Sequence, residues 1–377
     1  MIKIAIAGDF VVINRVKLVA ERQQFEEILG ETKVLFQDLD YRIVNLETPV
    51  VSKDAQPIIK CGPPLRCEES AIAMLAYGGF DCATLANNHF YDYGDNGVET
   101  TLSTLNRHQI DHVGGGHNLE EASTILYKQI NGETLAIINC TEHEFSIATP
   151  FTGGSNPLDP IRQYHAILEA RSKADHVLVI THGGIEDYNL PTPRMQETYR
   201  FFIEVGADVV VNHHQHCPSG YEIYHGKPIF YGLGNFCFDS LRFKDLPWNK
   251  GYVVGIMFNE SEVCFQLYPY LQCNGQPGIK YLDEATSKDF FNEISSLNTI
   301  ISNPEQLTET LEQFMESTSK YLTPIFTPYS KKWVRWMYSK GLLPFYYPKG
   351  KWPFVLNQIE CESHRERLIQ YIRKQIK

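Results

Sequence analysis

Two textures alternate along the chain. Short β-branched or apolar runs at residues 2–7, 41–44, 82–86, 135–139, 176–180, 208–211 and 228–231 predict strands. Segments with apolar residues at helical spacing, 15–29, 70–77, 97–107, 160–173 and 192–205, lie between them. Strand and helix in alternation is the pattern of an α/β protein. A later stretch, 251–268, surrounds the polar Asn-Glu-Ser-Glu with strand-like residues and predicts a hairpin closing a sheet.

The polar residues that follow the apolar runs form a second pattern. The first run ends in Gly8-Asp9, the second in Asn45-Leu46-Glu47, the third in Asn87-Asn88-His89, a later one in Thr181-His182-Gly183, and another in Asn212-His213-His214-Gln215-His216. In α/β sheets ligands bind beyond the carboxyl ends of strands, so residues remote in sequence meet there. Asp9, Glu47, Asn88, His182, His214 and His216 supply carboxylate, amide and imidazole donors, the mixture that two neighbouring divalent cations need. Residues two apart in an extended segment share a face, so His214 and His216 are expected to point into the site and His213 away from it. Plainer roles stand beside these. Asp9 could cap the following helix, Asn88 could form a turn, Glu47 could be a surface carboxylate, and His182 could be a hydrogen-bonded loop residue.

Composition narrows the setting. A chain of 377 residues is long enough for one catalytic domain with an appendage, expected here as a main domain over 1–282 and an extension over 283–377. A formal charge of −11 and a pI near 5.6 argue against a broad nucleic-acid-binding face and leave room for bound metal. The first apolar run is broken by Asp9 and lacks a small-residue cleavage site, so it predicts a strand rather than a signal peptide. With no run approaching transmembrane length, the expected location is cytoplasmic, with membrane association only through partners. Nine cysteines without a CxxC pair fit reduced thiols. Cys82, Cys140 and Cys264 are expected in apolar surroundings, and Cys217, beside the histidines, is also read as structural.

The extension is helical, then aromatic and basic, with Trp333, Trp336, Phe345, Tyr346, Tyr347, Trp352 and Phe354 among lysines and Arg335. It offers a peripheral contact for a membrane, a polymer or assembly machinery. The preferred expectation is that its aromatics pack on the main domain while the lysines reach water.

The ordered set GD, NLETP, LANNHFYDYG, THGGIE, NHHQH and YGLGNFCFD resembles the CapA-like (poly-γ-glutamate capsule biosynthesis) proteins, a branch of the calcineurin-like metallophosphatase superfamily. The likeness implies a four-layer α/β/β/α sandwich followed by a mostly helical extension, and two divalent metal ions (Mn, Fe or Zn). It implies Asp9 and His216 on one metal, Asn88, His182 and His214 on the other, and Glu47 bridging. A metal-bridging hydroxide would be the nucleophile, with His89 assisting the leaving group and Asp92 orienting His89. The implied substrate is a phosphorylated or polymeric surface glycan or poly-γ-glutamate, cleaved at a phosphoester, a γ-glutamyl amide or a polysaccharide linkage. A non-catalytic assembly factor that keeps the metal site is the alternative.

Three departures bear on this. Val11 stands where the superfamily carries the histidine of Asp-x-His, which leaves the first metal short of a ligand. HGGIED and NHHQH replace the usual HWGxEY and GHHPH, with Glu186 retained. Asn235 serves equally as support for a ligand or as a turn former, Glu186 is read as a solvated loop carboxylate, and His117 in the glycine-rich HVGGGH turn is read as structural.

Overall fold

The computed structural model describes residues 1–259, 262–318, 331–340, 342–343 and 349–376. The β-branched runs form strands in chain order: β1 (Ile2–Val11), β2 (Tyr41–Leu46), β3 (Cys82–Thr84), β4 (Asp111–Val113), β5 (Gly115–Gly116), β6 (Leu126–Ile130), β7 (Glu133–Thr141) and β8 (Gly154–Ser155). They continue as β9 (His176–His182), β10 (Val209–His213), β11 (Tyr221–Tyr224), β12 (Lys227–Phe230), β13 (Asn235–Phe238), β14 (Lys250–Phe258), β15 (Val263–Gln272) and β16 (Ile279–Tyr281). The helices are α1 (Asn14–Glu21), α2 (Glu26–Leu35), α3 (Glu69–Gly78), α4 (Gly94–Arg107), α5 (Leu119–Ala122), α6 (Pro160–Lys173) and α7 (Pro193–Val205). After the last strand come α8 (Glu284–Ile301), α9 (Pro304–Thr318), α10 (Lys332–Ser339), α11 (Trp352–Glu360) and α12 (Glu362–Ile376).

Two mixed sheets face each other. The first runs β16-β15-β14-β1-β2-β3-β4, with β13 also pairing along the end of β1, and the second runs β11-β12-β10-β9-β7-β6. Their centres are parallel: β1 pairs β2, β2 pairs β3, β7 pairs β9 and β9 pairs β10 in that sense. One apolar core lies between the sheets, joining Ile4, Ile6 and Ile43 to Ile137, Val179 and Val210. A second core packs Ala5, Ala7 and Val44 of the first sheet on Val16, Ile28, Ile72 and Leu102 of α1–α4. Helices α6 and α7 cover the other sheet through Ile167, Ala170, Tyr199 and Phe202. The layers are therefore α/β/β/α, with a mostly helical extension after β16.

The helix expected over 15–29 is two helices. Gln23 takes a left-handed φ of 56°, and Gln24 N–H returns to the Val19 carbonyl at 3.2 Å, ending α1 before α2 begins. Helices α6 and α7 carry their start signals as proline at the first turn, capped by Asp159 and Thr192. In the extension, Phe290, Ile294, Leu297, Ile301, Leu307, Leu311 and Met315 belong to the same cluster as the sheet-to-sheet core. The expectation that the tail aromatics pack inward differs from the structure at three positions: Trp333, Trp336 and Trp352 are 62%, 58% and 52% exposed. They sit on short helices at the surface of the extension, where a ring can lie along the protein and still show one face to water. Phe345, Tyr346 and Tyr347 lie outside the described residues.

Candidate metal centre

The carboxyl ends of the central parallel strands of both sheets converge. Asp9 lies near the end of β1, Glu47 just after β2, Asn88 and His89 in the loop after β3, His182 at the end of β9, and His214 and His216 just after β10. A close backbone approach sets the position of Asp9. A Cβ on Gly8 would lie 1.9 Å from the Gly234 carbonyl, so only glycine lets β13 come alongside, and Asp9 N–H then donates to that carbonyl at 3.3 Å. Both His214 (φ 95°) and His216 (φ 58°) hold left-handed backbone, a strain of roughly 1–3 kcal/mol each that clusters at functional sites.

The six expected ligands are all buried and come together. Donor atoms of Asp9, Glu47 and His216 lie within 4.8 Å of one another, and so do those of Glu47, His182 and His214. Glu47 is common to both groups. His182 Nε2 is 3.5 Å from Glu47 Oε1, 3.1 Å from His214 Nδ1 and 3.2 Å from Asn88 Oδ1. Asp9 accepts from Asn45 Nδ2 at 2.7 Å and from the His214 backbone N–H at 3.3 Å. His216 Nδ1 donates to Asn235 Oδ1 at 3.0 Å and lies 3.4 Å from Asp9 Oδ2. Asn235 thus supports His216 from within β13.

The plainer roles fit one of these residues: Asn88 does lie in a turn, which carries its Oδ1 to 3.2 Å from His182 Nε2. Asp9 is a strand residue, and Ile13 occupies the N-cap of α1. Glu47 is fully buried, and His182 ends a central strand with 1% exposure. His213 differs from its expected place. It pairs in register with His182, and paired residues on adjacent strands share a face, so His213 also turns inward, its Nδ1 3.6 Å from Asp9 Oδ1. The alternation rule fails because the chain is not extended beyond residue 213. Left-handed turns, rather than a strand, bring His214 and His216 in.

Electrostatically the pocket calls for positive charge. Burial and the neighbouring Asp9 charge hold the Glu47 carboxyl well above its ordinary range. Burial also pushes Asp9 up, but the His216 hydrogen bond and the charges of His213 and His182 outweigh it and leave Asp9 low. His182 is driven well down by burial and by His214. Both oxygens of Glu47, both ring nitrogens of His213 and Nε2 of His214 are sealed from solvent without hydrogen-bond partners among the described residues. Buried polar atoms are rarely left so. Divalent cations fit this donor set: they would meet the orphaned atoms and favour the ionised carboxylate.

Beside these residues, His89 Nδ1 lies 2.6 Å from Asp92 Oδ2. A carboxylate only accepts, so the proton is on Nδ1 and Nε2 is free. Burial lowers the His89 pKa, against the Asp92 hydrogen bond. Lys60, 4% exposed, donates to Asp92 Oδ1 at 2.5 Å and lies 3.2 Å from His89 Nδ1. Sequence reading missed Lys60, which sits in the polar loop after β2 with no motif around it. Cys217 is buried with its thiol pushed up by burial, and His117 makes surface ion pairs with Glu99 and Glu121. Glu186 is exposed at the mouth of a cavity of about 570 Å³ that also touches Asn88 and His89.

The far wall of that cavity is the extension. Gln358 of α11 and His364 and Arg367 of α12 line it. Ser363 Oγ donates to Glu142 Oε1 at 2.7 Å, and His143 pairs with Glu362 at 2.6 Å, pinning the start of α12 to the loop after β7. Glu144 of the same loop accepts from Asn357 Nδ2 at 3.0 Å and lies 3.7 Å from His214 Nε2. No motif marks these residues in the sequence.

The family model described as "Bacterial capsule synthesis protein PGA_cap" matches residues 3–240, more than half of the chain. The chain belongs to this family. A "Capsule biosynthesis protein CapA" of Bacillus anthracis is 31% identical over 241 residues, covering 62% of this chain and 59% of that protein. A "PGA biosynthesis protein CapA" of Bacillus subtilis (strain 168) is 33% identical over 236 residues, 62% of each chain. The match thus spans about three fifths of the length of these relatives. Two solved structures from Thermus thermophilus overlap it: a hypothetical protein (TM-score 0.47, 14% identity, 72% of this chain and 99% of that one) and a 5'-nucleotidase precursor (TM-score 0.44, 12% identity, 80% and 60%). Nothing about the reaction follows from overlaps of this size. The matched family region stops before α8, so the cavity wall formed by α11 and α12 lies outside it.

Proposed function

We propose that this family member is a metal-dependent hydrolase of surface-polymer assembly that holds two divalent cations. The observation that carries this reading is Glu47, shared between two donor groups with both oxygens buried and unpartnered. Bound there, divalent cations would act as Lewis acids on the substrate and make water a stronger acid. Asp9, His213 and His216 would hold the cation on one side of Glu47, and His182, His214 and Asn88 the other. Asp92 would fix the His89 ring through Nδ1 and leave Nε2 to exchange a proton with the leaving group. Lys60 holds Asp92 on its other oxygen and keeps the dyad oriented. The substrate fits an extended anionic polymer or a phosphoester, since the cavity is an open cleft between the loop after β3 and α12.

The test is metal content by elemental analysis together with Mn²⁺-dependent turnover of bis(p-nitrophenyl) phosphate and of γ-glutamyl amides. His89→Ala is expected to keep both metal equivalents and lose about 10²–10⁴ in rate. Metal-free protein, or turnover indifferent to His89, overturns the reading. A second reading, a non-catalytic assembly factor at a membrane surface, is favoured by the exposed Trp333, Trp336 and Trp352 beside Lys331, Lys332 and Lys351. It expects no turnover of either substrate, and co-sedimentation with anionic liposomes that is lost when the three tryptophans become serine.

A further inference from the structure

Arg367 stands out among the arginines. Arg15, Arg42, Arg171, Arg194 and Arg200, all partly withdrawn from solvent, each meet a carboxylate oxygen at 2.5–2.6 Å. Arg367 has no carboxylate within ion-pair distance among the described residues. Its one hydrogen bond to a side chain there is a long one, Nη2 to Gln358 Oε1 at 3.4 Å, and its Nε is shut off from solvent with no acceptor. Burial pulls its pKa below the ordinary guanidinium value. A guanidinium withdrawn from water without a counter-ion is costly, and it persists where something else pairs with it.

Its place says what that is. Arg367 and His364 are three apart on α12, hence on one face, and both line the cavity that reaches Asn88 and His89. The other cation there, Lys60, is already neutralised by Asp92. Of the acids that line the cavity, Glu144 is engaged by Asn357 and lies within 4.8 Å of His364, while Glu186 and Asp187 stand exposed at the rim. We infer that Arg367, with Gln358 and His364 beside it, is a subsite for an anionic group of the substrate, a carboxylate or a phosphate, held one step away from the bond that meets the metal centre. A planar guanidinium takes either anion through two parallel hydrogen bonds. The extension would then set substrate choice for a centre built by the family region, and this deepens the hydrolase reading above and rests on it.

The test titrates inorganic phosphate and γ-glutamylglutamate separately into the metal-loaded full-length protein and its variants. Arg367→Met is expected to weaken one of the two ligands tenfold or more at unchanged metal content, with Arg367→Lys in between. Loss confined to γ-glutamylglutamate identifies a carboxylate site, and loss confined to phosphate a phosphate site. In anion-free buffer Arg367→Met should melt no lower than the wild type, because it removes an unpaired charge. Equal binding of both ligands by wild type and Arg367→Met, or a lower melting temperature for the variant, overturns the subsite. Failure of the metal reading looks different: metal is absent from the wild type, while binding that depends on Arg367 persists.

Discussion

His213 has two ring nitrogens cut off from solvent and unpaired, and each unsatisfied buried group costs about 1–3 kcal/mol. Its Nδ1 lies 3.6 Å from Asp9 Oδ1, so it is placed to supply a nitrogen ligand on that side of the pocket. His213→Leu is expected to reduce metal content from two equivalents toward one and to raise the melting temperature of the metal-stripped protein. Unchanged metal content by elemental analysis would remove His213 from the site. At His89, Asp92→Asn should leave metal content intact and cost about 10–100-fold in turnover, since it frees the ring whose orientation the carboxylate sets. Wild-type turnover in that variant would show that His89 needs no orienting partner. That Asp9, Glu47, Asn88, His182, His214 and His216 would meet was legible because each follows an apolar run in a motif. His213 was misplaced because strand register and two left-handed residues, which sequence does not display, decide where an imidazole points. Lys60 was invisible for a similar reason: a lysine in a polar loop looks solvated until the fold closes over it.

Among elements, the start of α12 depends on a titratable clamp. The hydrogen bond to Glu362 raises the His143 pKa. Burial pushes Glu362 up, but the hydrogen bonds from His143 outweigh it and leave Glu362 low. The His143 contribution is therefore complete below the ordinary histidine value, near 6.5, and is lost as pH rises through the raised value. The Glu362 contribution is present above the ordinary carboxylate range and is lost as pH falls through the lowered one. Docking of α12 should thus be firmest in the mildly acidic range and loosen toward alkaline pH. Amide exchange in the first turn of α12 is expected to quicken as pH rises from about 6 to about 9, beyond the intrinsic chemical rate, and His143→Gln should remove that extra step. Exchange that follows the intrinsic rate alone in the wild type would exclude the clamp. The central strands and α6 and α7 were readable from periodicity and proline caps. The edge strands β6 and β11 and the short β13 and β16 were not, because each is held by its neighbour in the sheet rather than by its own pattern.

For the molecule as a whole, the expected division at residue 282 can be put to a direct test. Across that point, Tyr221 N–H donates to Asn298 Oδ1 at 2.7 Å, Gln196 Nε2 donates to the Ile301 carbonyl at 2.9 Å, and Tyr188 packs on Phe314 with ring centroids 4.6 Å apart. Gly220 lies so close to α8 that a Cβ would come within 2.5 Å of Asn298 Oδ1. The buried Ile294, Leu297, Ile301, Leu307 and Leu311 each stabilise by about 1.5–3 kcal/mol, while whole domains are stable by only about 5–15 kcal/mol. A fragment of residues 1–282 is therefore expected not to fold cooperatively. A fragment of 1–318 retains α8 and α9, so it should melt in one transition and still take up metal, while losing the wall that carries Arg367. Cooperative melting and full metal content in the shorter fragment would mean that the family region is self-sufficient and that α8 and α9 merely rest on it. Failure of both fragments would instead make the clamp between Glu142 and Ser363 part of the folding unit, with the wall of the cleft as necessary to the fold as to the substrate.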